Sequence, residues 1–232
     1  MPEFIDRQPE MAALNKLLGT QGGQFVMVYG RRRVGKTTLL RHWVEQSGRP
    51  TVYWIARREP AEAVRYSLAR AFWQSLGRGQ PPRFDSWEPL LEEMANLINE
   101  RPFILIFDEF PYAVESDPSL PSHLQAAWDT LWQDKPIILI LAGSHIGMMV
   151  DLLNYQAPLY GRFTAQMFIN PLPFAALADF FPRYSAAERV ATYAVLGGVP
   201  GYLQRFNSQQ SLATNIRQHL FRASTFASLN QT

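Results

Sequence analysis

Apolar residues in this chain fall into short continuous runs, separated by stretches in which they recur every three or four positions. Residues 25–29 form the first run and predict a short buried strand. After a glycine-bounded turn, Leu39, Leu40, Trp43 and Val44 share one face of a helix predicted over about 36–45. Residues 51–55 are a β-branched and aromatic run, and Pro60 opens a helical stretch that Gly77, Gly79 and Pro81-Pro82 stop near Leu76. Ser86 is a candidate cap for a helix whose stripe is Leu90, Leu91, Met94, Leu97 and Ile98, and Arg101-Pro102 breaks that helix. Strands follow at 103–107, 137–142 and 164–169, with a helix around 124–132 between the first two.

Continuous apolar strands alternating with helices predict an α/β fold with a parallel five-stranded sheet covered on both faces, because both sides of each strand must be hidden from water. After Pro171 the strand signal stops. Segments 174–181, 185–196 and 211–221 read as helices, the last with Leu212, Ile216 and Leu220 in register. The expected organisation is therefore a core over residues 1–170 and a small helical domain over 171–232.

Composition narrows the class. Of 232 residues, 47% are hydrophobic and 18% charged, enough apolar content for a sizeable core and too little charge for a disordered chain. Lys and Arg outnumber Asp and Glu by 22 to 20, so bulk charge gives no reason to expect nucleic acid. The absence of cysteine excludes disulfides, thiolate zinc sites and a cysteine nucleophile. The polar start, MPEFIDRQPE, lacks the regions of a signal peptide, and the longest aliphatic run is far shorter than the roughly 20 residues that span a bilayer. A soluble cytoplasmic protein with no membrane partner is expected. No internal repeat or low-complexity tract interrupts the pattern.

The sharpest chemical signal is Gly30-Arg31-Arg32-Arg33-Val34-Gly35-Lys36-Thr37, which fits GxxxxGK[ST] between a predicted strand and a predicted helix. The glycines let the backbone curl so that successive N–H groups converge on a phosphate at the positive end of the helix. Lys36 would reach the β- and γ-phosphates of ATP, and the Thr37 hydroxyl would join the oxygen shell of Mg²⁺. Arg31, Arg32 and Arg33 occupy variable positions, where they meet phosphate, a neighbouring subunit, nucleic acid or simply solvent.

The strand at 103–107 ends in Asp108-Glu109, and ligands of open α/β sheets bind at the carboxyl ends of strands. Asp108 is the expected outer partner of Mg²⁺, and Glu109 the group that orients and deprotonates an attacking water. Strand 137–142 leads to Gly143-Ser144-His145. Ser144 is either a contact to the γ-phosphate or its water, or a helix cap; His145 reads as a bystander.

These motifs resemble the archaeal-type ATPase family of P-loop proteins, related to the STAND and AAA-like ATPases. The resemblance rests on six ordered pieces: Phe4-Ile5-Asp6-Arg7, Tyr29 through Thr37-Thr38, Phe107-Asp108-Glu109-Phe110, Ala142-Gly143-Ser144, Pro158-Leu159-Tyr160-Gly161-Arg162 and Leu196-Gly197-Gly198-Val199-Pro200-Gly201-Tyr202-Leu203. It implies that Asp6 and Arg7 pack near the adenine, that Ser144 senses the γ-phosphate, and that Gly198-Val199-Pro200 is the GxP turn of a helical lid. Arg162 becomes a candidate for neutralising charge on the transferred phosphoryl group, in cis or across a contact between identical subunits, against the alternative of an ordinary surface arginine. Members of the family usually continue into winged-helix and nuclease-like segments, whereas this sequence stops at Leu229-Asn230-Gln231-Thr232. That predicts a truncated form or a missing output domain, with DNA association implied by the resemblance alone.

The leading expectation is an ATPase whose lid moves as the γ-phosphate is lost. Two others stand beside it: a slow nucleotide-dependent switch that recruits a partner, and a P-loop small-molecule kinase, disfavoured because the segment after the last strand carries few arginines. No guanine-selecting Asn-Lys-x-Asp pattern occurs.

Overall fold

A computed structural model describes residues 4–98 and 101–220. Strands β1 (Gln24–Tyr29), β2 (Thr51–Ile55), β3 (Phe103–Asp108), β4 (Ile137–Gly143) and β5 (Ala165–Phe168) make one parallel sheet in the order β2-β3-β4-β1-β5. Helix α1 (Gln8–Leu17) precedes β1, and α2 (Lys36–Ser47), α3 (Ala61–Ser75), α4 (Trp87–Ile98), α5 (Phe110–Ser116), α6 (Leu120–Ala127) and α7 (Ile146–Asp151) connect the strands. β3 and β4 are buried along their whole length, as continuous Ile and Leu runs require when both faces are covered. The stripe of α4, with Leu90, Leu91, Met94 and Ile98, joins Trp54, Phe72, Phe107 and Leu139 in one core cluster, where each fully hidden side chain contributes about 1.5–3 kcal/mol.

Three elements differ from the sequence expectation. The helix around 124–132 starts earlier, at Leu120, with Pro121 in its first turn, and continues over Trp128–Trp132 as a π-helix. The wider turn keeps Trp128 and Trp132, four positions apart, both buried in the core. β5 is not hidden on both faces: it is an edge strand whose residues alternate between half-buried and exposed, with Phe168 43% exposed. Segment 174–181 is not one helix but a single 3₁₀ turn, Phe174–Ala176, followed by the short α8 (Leu177–Phe180).

The chain divides into two compact units. One contains the sheet and comprises Gln8–Arg32 and Lys36–Ile169. The other comprises, among the described residues, 4–7, 33–35 and 170–220. Chain order alone suggested a cut near 170; compactness also groups the entry segment and three residues of the glycine-bracketed loop with the helical part. This second unit holds α8, α9 (Ala186–Leu196), α10 (Pro200–Leu203) and α11 (Leu212–His219) around a small core of Leu177, Phe181, Tyr184, Leu203 and Phe206. Ser185 and Glu188 close a reciprocal capping box at the start of α9, and Ser211 caps α11. The expected end of that last helix, at Phe221, and the terminal Leu229-Asn230-Gln231-Thr232 lie outside the described residues. No helix among the described residues is long and apolar enough to cross a membrane.

Candidate functional site

The sheet unit gathers its polar side chains at the carboxyl ends of β1, β3 and β4. β1 delivers the chain to Gly30 at a point where the Tyr29 carbonyl accepts from the Ile169 amide at 2.7 Å. A Cβ on Gly30 would stand 2.5 Å from the Ile169 carbonyl oxygen, and its φ is +156°, so only glycine turns the chain there. Lys36 opens α2 and is 5% exposed. Its ammonium donates to the carbonyls of Gly30 (2.9 Å) and Arg31 (3.1 Å) and to Ser144 Oγ (3.0 Å), which uses all three of its N–H groups. Burial pulls the Lys36 pKa below its ordinary value, with Arg32 adding to the fall, while the nearby carboxylates of Glu109 and Asp108 oppose it.

Ser144 then donates to Glu109 Oε1 at 2.9 Å. Strand order explains this bridge: β4 lies between β1 and β3, so its tip falls between the loop that carries Lys36 and the carboxylates that follow β3. The alternative role of Ser144 as a helix cap is taken by its neighbour, since His145 Nδ1 accepts from the Met148 amide at 3.2 Å and caps α7. The serine hydroxyl is thereby left to its two charged partners.

Asp108 is 1% exposed and held from three sides. Its Oδ2 accepts from Thr37 Oγ1 at 2.7 Å and from the Tyr53 hydroxyl at 2.8 Å, and its Oδ1 accepts from the Glu109 amide at 2.9 Å. Sequence reasoning missed Tyr53, which reads as an ordinary aromatic strand residue. The available signal was its place two residues from the end of β2, the strand that pairs with β3. Burial and the adjacent Asp108 carboxylate both push the Tyr53 pKa far up, so its hydroxyl stays a donor.

Glu109 has φ 52°, a left-handed conformation that costs a residue with a Cβ about 1–2 kcal/mol. Among the described residues only Asp6, Arg7, Arg33 and Glu109 are non-glycine residues with positive φ, and the sequence had singled out all four. Strain of this kind persists where the surroundings impose it and gathers at functional sites.

In the second unit the Arg7 guanidinium donates to the Val34 carbonyl at 2.9 Å, and the Arg7 amide donates to Asp6 Oδ1 at 2.8 Å. The Arg33 carbonyl accepts from the Gly201 amide at 3.1 Å, and its guanidinium stacks over the Tyr202 ring. Pro200 Cγ lies 3.8 Å from where a Gly35 Cβ would be. The GxP turn is fixed by Gly198, where any Cβ would overlap the Leu172 carbonyl and whose own carbonyl accepts from the Leu172 amide at 2.7 Å. Asp6, Arg7, Arg33, Val34, Gly35, Gly198 and Pro200 thus belong to one unit, and Gly30, Arg31, Lys36, Thr37, Asp108, Glu109 and Ser144 to the other.

Four side chains stand apart from these contacts. Arg31 and Thr38 are exposed. Arg32, also exposed, reaches the Tyr112 hydroxyl at 3.4 Å. Arg162 is not brought to the Lys36 cluster: it lies just ahead of β5, near the amino ends of β1 and β5, where Thr164 bonds Phe25. The loop leaves the other end of β1, roughly 20 Å away at about 3.3 Å per residue. There the Arg162 guanidinium grips both Asp129 carboxylate oxygens at 2.8–3.1 Å, and those bonds raise its pKa. An arginine finger in cis is therefore a correction to the sequence expectation.

A parallel sheet with a glycine-bracketed loop after β1, an intervening β4 and an acidic pair after β3 is the architecture of P-loop ATPase-type nucleotide-binding domains. The chain belongs to the family of ATPase domains predominantly from Archaea, whose model matches residues 4–206. An uncharacterized protein of Methanocaldococcus jannaschii is 34% identical over 206 residues, 87% of this chain and 44% of that relative. The chain thus spans less than half of the relative's length. The Walker-type ATPase paby2304 of Pyrococcus abyssi superposes with a TM-score of 0.67 at 21% identity, over 97% of this chain and 75% of the other. The Aeropyrum pernix ORC2 protein, solved in ADPNP–ADP complexes, gives 0.62 at 18% identity, over 88% and 61%. At these identities the structural likenesses carry the fold.

Proposed function

We propose that this chain binds ATP with Mg²⁺ and hydrolyses it to ADP and phosphate, and that loss of the γ-phosphate is passed to the helical unit. The observation that carries the reading is the continuous set of bonds Lys36–Ser144–Glu109 and Thr37–Asp108–Tyr53 at the strand tips. Lys36 is already desolvated, so a phosphate oxygen can replace one of its present acceptors without a new burial cost. Ser144, released from one of its charged partners, offers a hydroxyl to the γ-phosphate. Glu109 takes a proton from a water whose oxygen attacks the γ-phosphorus, the bond to the β–γ bridging oxygen breaks, and ADP leaves.

The donor set suits magnesium: the Thr37 hydroxyl and the Asp108 carboxylate are hard oxygens, few enough to leave an ion most of its waters. When bound, the ion would neutralise charge on the β- and γ-phosphate oxygens. Arg33, Val34 and Gly35 share a compact unit with Gly198, Pro200 and Gly201, which gives the loop a route by which its nucleotide state reaches the helices.

The test is single-turnover hydrolysis of γ-labelled ATP beside nucleotide binding. Glu109→Gln is expected to retain ATP affinity within about twofold and to lose at least 100-fold in rate, the scale of general base catalysis. Equal rates in the two proteins would remove Glu109 from the chemistry.

A further inference from the structure

We infer that Tyr53 is a positioning residue for the divalent cation, acting through Asp108, an inference that rests on the Mg²⁺·ATP reading above. The geometry begins at Asp108 Oδ2, which accepts two hydroxyl protons, from Thr37 at 2.7 Å and from Tyr53 at 2.8 Å. A carboxylate oxygen has about two lone-pair sites, so this pair fills it. With its proton committed to Asp108, the Thr37 hydroxyl turns its own lone pairs the other way, as a ligand to a cation must. Oδ1, tied to the Glu109 amide at 2.9 Å, prevents the carboxylate from flipping end for end, but one bond on each oxygen would still let it rock. The Tyr53 hydroxyl is the second restraint on the Oδ2 side.

Tyr53 is itself held. Its place in β2 is fixed by parallel pairing with Ile106 of β3, the strand that ends in Asp108, and the Arg41 guanidinium lies over its ring at 5.0 Å. A rigid strand residue with two torsions fixes an oxygen better than a loop residue would. It also leaves the phosphate contacts alone, because no bond joins it to Lys36, Ser144 or the loop carbonyls. The effect therefore falls on the metal-dependent part of nucleotide affinity and spares the metal-free part.

Tyr53→Phe keeps the ring, the strand pairing and the arginine contact, and removes only the hydroxyl. Affinity for a fluorescent ADP analogue is measured in EDTA and in saturating MgCl₂, and affinity of the nucleotide complex for Mn²⁺ by electron paramagnetic resonance. In the variant the EDTA affinity should stay within about twofold, while the gain on adding Mg²⁺ shrinks, and Mn²⁺ dissociation rises, by about five- to tenfold. The same substitution in a Thr37→Ala background should have little further effect, because the pair acts through one oxygen. An unchanged Mg²⁺ gain, an equal loss with and without metal, or a full additional loss in the Thr37→Ala background would each overturn the assignment of Tyr53. A wild-type protein that binds the nucleotide no better with Mg²⁺ than without it would overturn the metal reading itself, a failure distinct from one confined to the variant.

Discussion

Replacing Ser144 with alanine tests the bridge that joins the loop to the acidic pair. The substitution deletes a hydroxyl that accepts from Lys36 at 3.0 Å and donates to Glu109 at 2.9 Å. Hydrogen bonds to charged groups are worth about 1.5–3 kcal/mol each, but the two losses differ in kind. Lys36 keeps two carbonyl acceptors, and Glu109, only half-buried, regains water at Oε1. The net cost to the ligand-free protein is therefore near one bond at the low end, about 1.5 kcal/mol, which lowers Tm by about 3–6 °C for a chain of this size. On the proposed reading the hydroxyl that holds Glu109 in the free protein turns to the γ-phosphate during the reaction, so catalysis should suffer more than stability; a 10- to 100-fold loss of kcat with little change in KM is the signature of an interaction made in the transition state. Differential scanning fluorimetry and single-turnover hydrolysis on the same preparation provide both numbers, and Ser144→Thr, which retains a hydroxyl, should recover most of each. A Tm within 1 °C of wild type together with an unchanged kcat would refute the bridge.

Arg162→Ala removes the grip on Asp129, a partly exposed pair worth at most about 1 kcal/mol, so nucleotide affinity should stay within about twofold in equilibrium titration; a loss of hydrolysis that deepens as protein concentration rises would instead reveal an arginine acting between subunits. The start of α4 is tied to the end of α5 through Asp117, which accepts from the Trp87 indole at 2.8 Å and from Ser119. Burial pushes the Asp117 pKa up, yet the bonds from Ser119 and Trp87 and the charge of Arg65 outweigh it and leave the group below its ordinary value. A depressed carboxyl stabilises the fold at pH above the usual carboxylate range, and that contribution is lost as pH falls through that range. Thermal melts from pH 7 to pH 3 should fall less steeply below pH 4 in Asp117→Asn than in wild type, and parallel curves would show that Asp117 is not part of the acid response.

The sheet was legible in the sequence because its strands obey one simple rule. β3 and β4 hide both faces, so Ile and Leu run without interruption. The edge strand β5 escaped the rule because half its residues meet water, and the π-helical turn at Trp128–Trp132 escaped it because only packing against the core decides how wide a turn becomes. Lys36, Thr37, Asp108 and Glu109 are legible from residue type and spacing alone, because strand, loop and helix order puts them at the strand tips. Tyr53 is not, because nothing in a strand sequence tells which neighbour's carboxylate a tyrosine will meet; that depends on pairing between β2 and β3. Arg162, whose expected role in cis the structure does not support, is the complementary case. Its motif implied proximity to phosphate, but three residues before β5 means the amino end of a parallel sheet, and parallel strands keep their two ends apart.

The same topology decides how the chemical groups depend on one another. Were β1 and β3 adjacent, the loop lysine and the acidic pair could meet directly, and nothing would have to stand between them. With β4 inserted, the gap must be filled by a residue at the tip of β4, one short enough to fit and able to accept from an ammonium while donating to a carboxylate. A hydroxyl does both through a single atom, and serine is the smallest side chain that has one. The strain at Glu109 sits at the same point: the chain leaves β3 after Asp108, presents the next carboxylate to Ser144 and enters α5 at once, and the left-handed conformation of Glu109 makes that turn within one residue. In the sheet unit, then, strand order binds the acidic pair to the lysine through Ser144, so a substitution at any of the three should register at the other two.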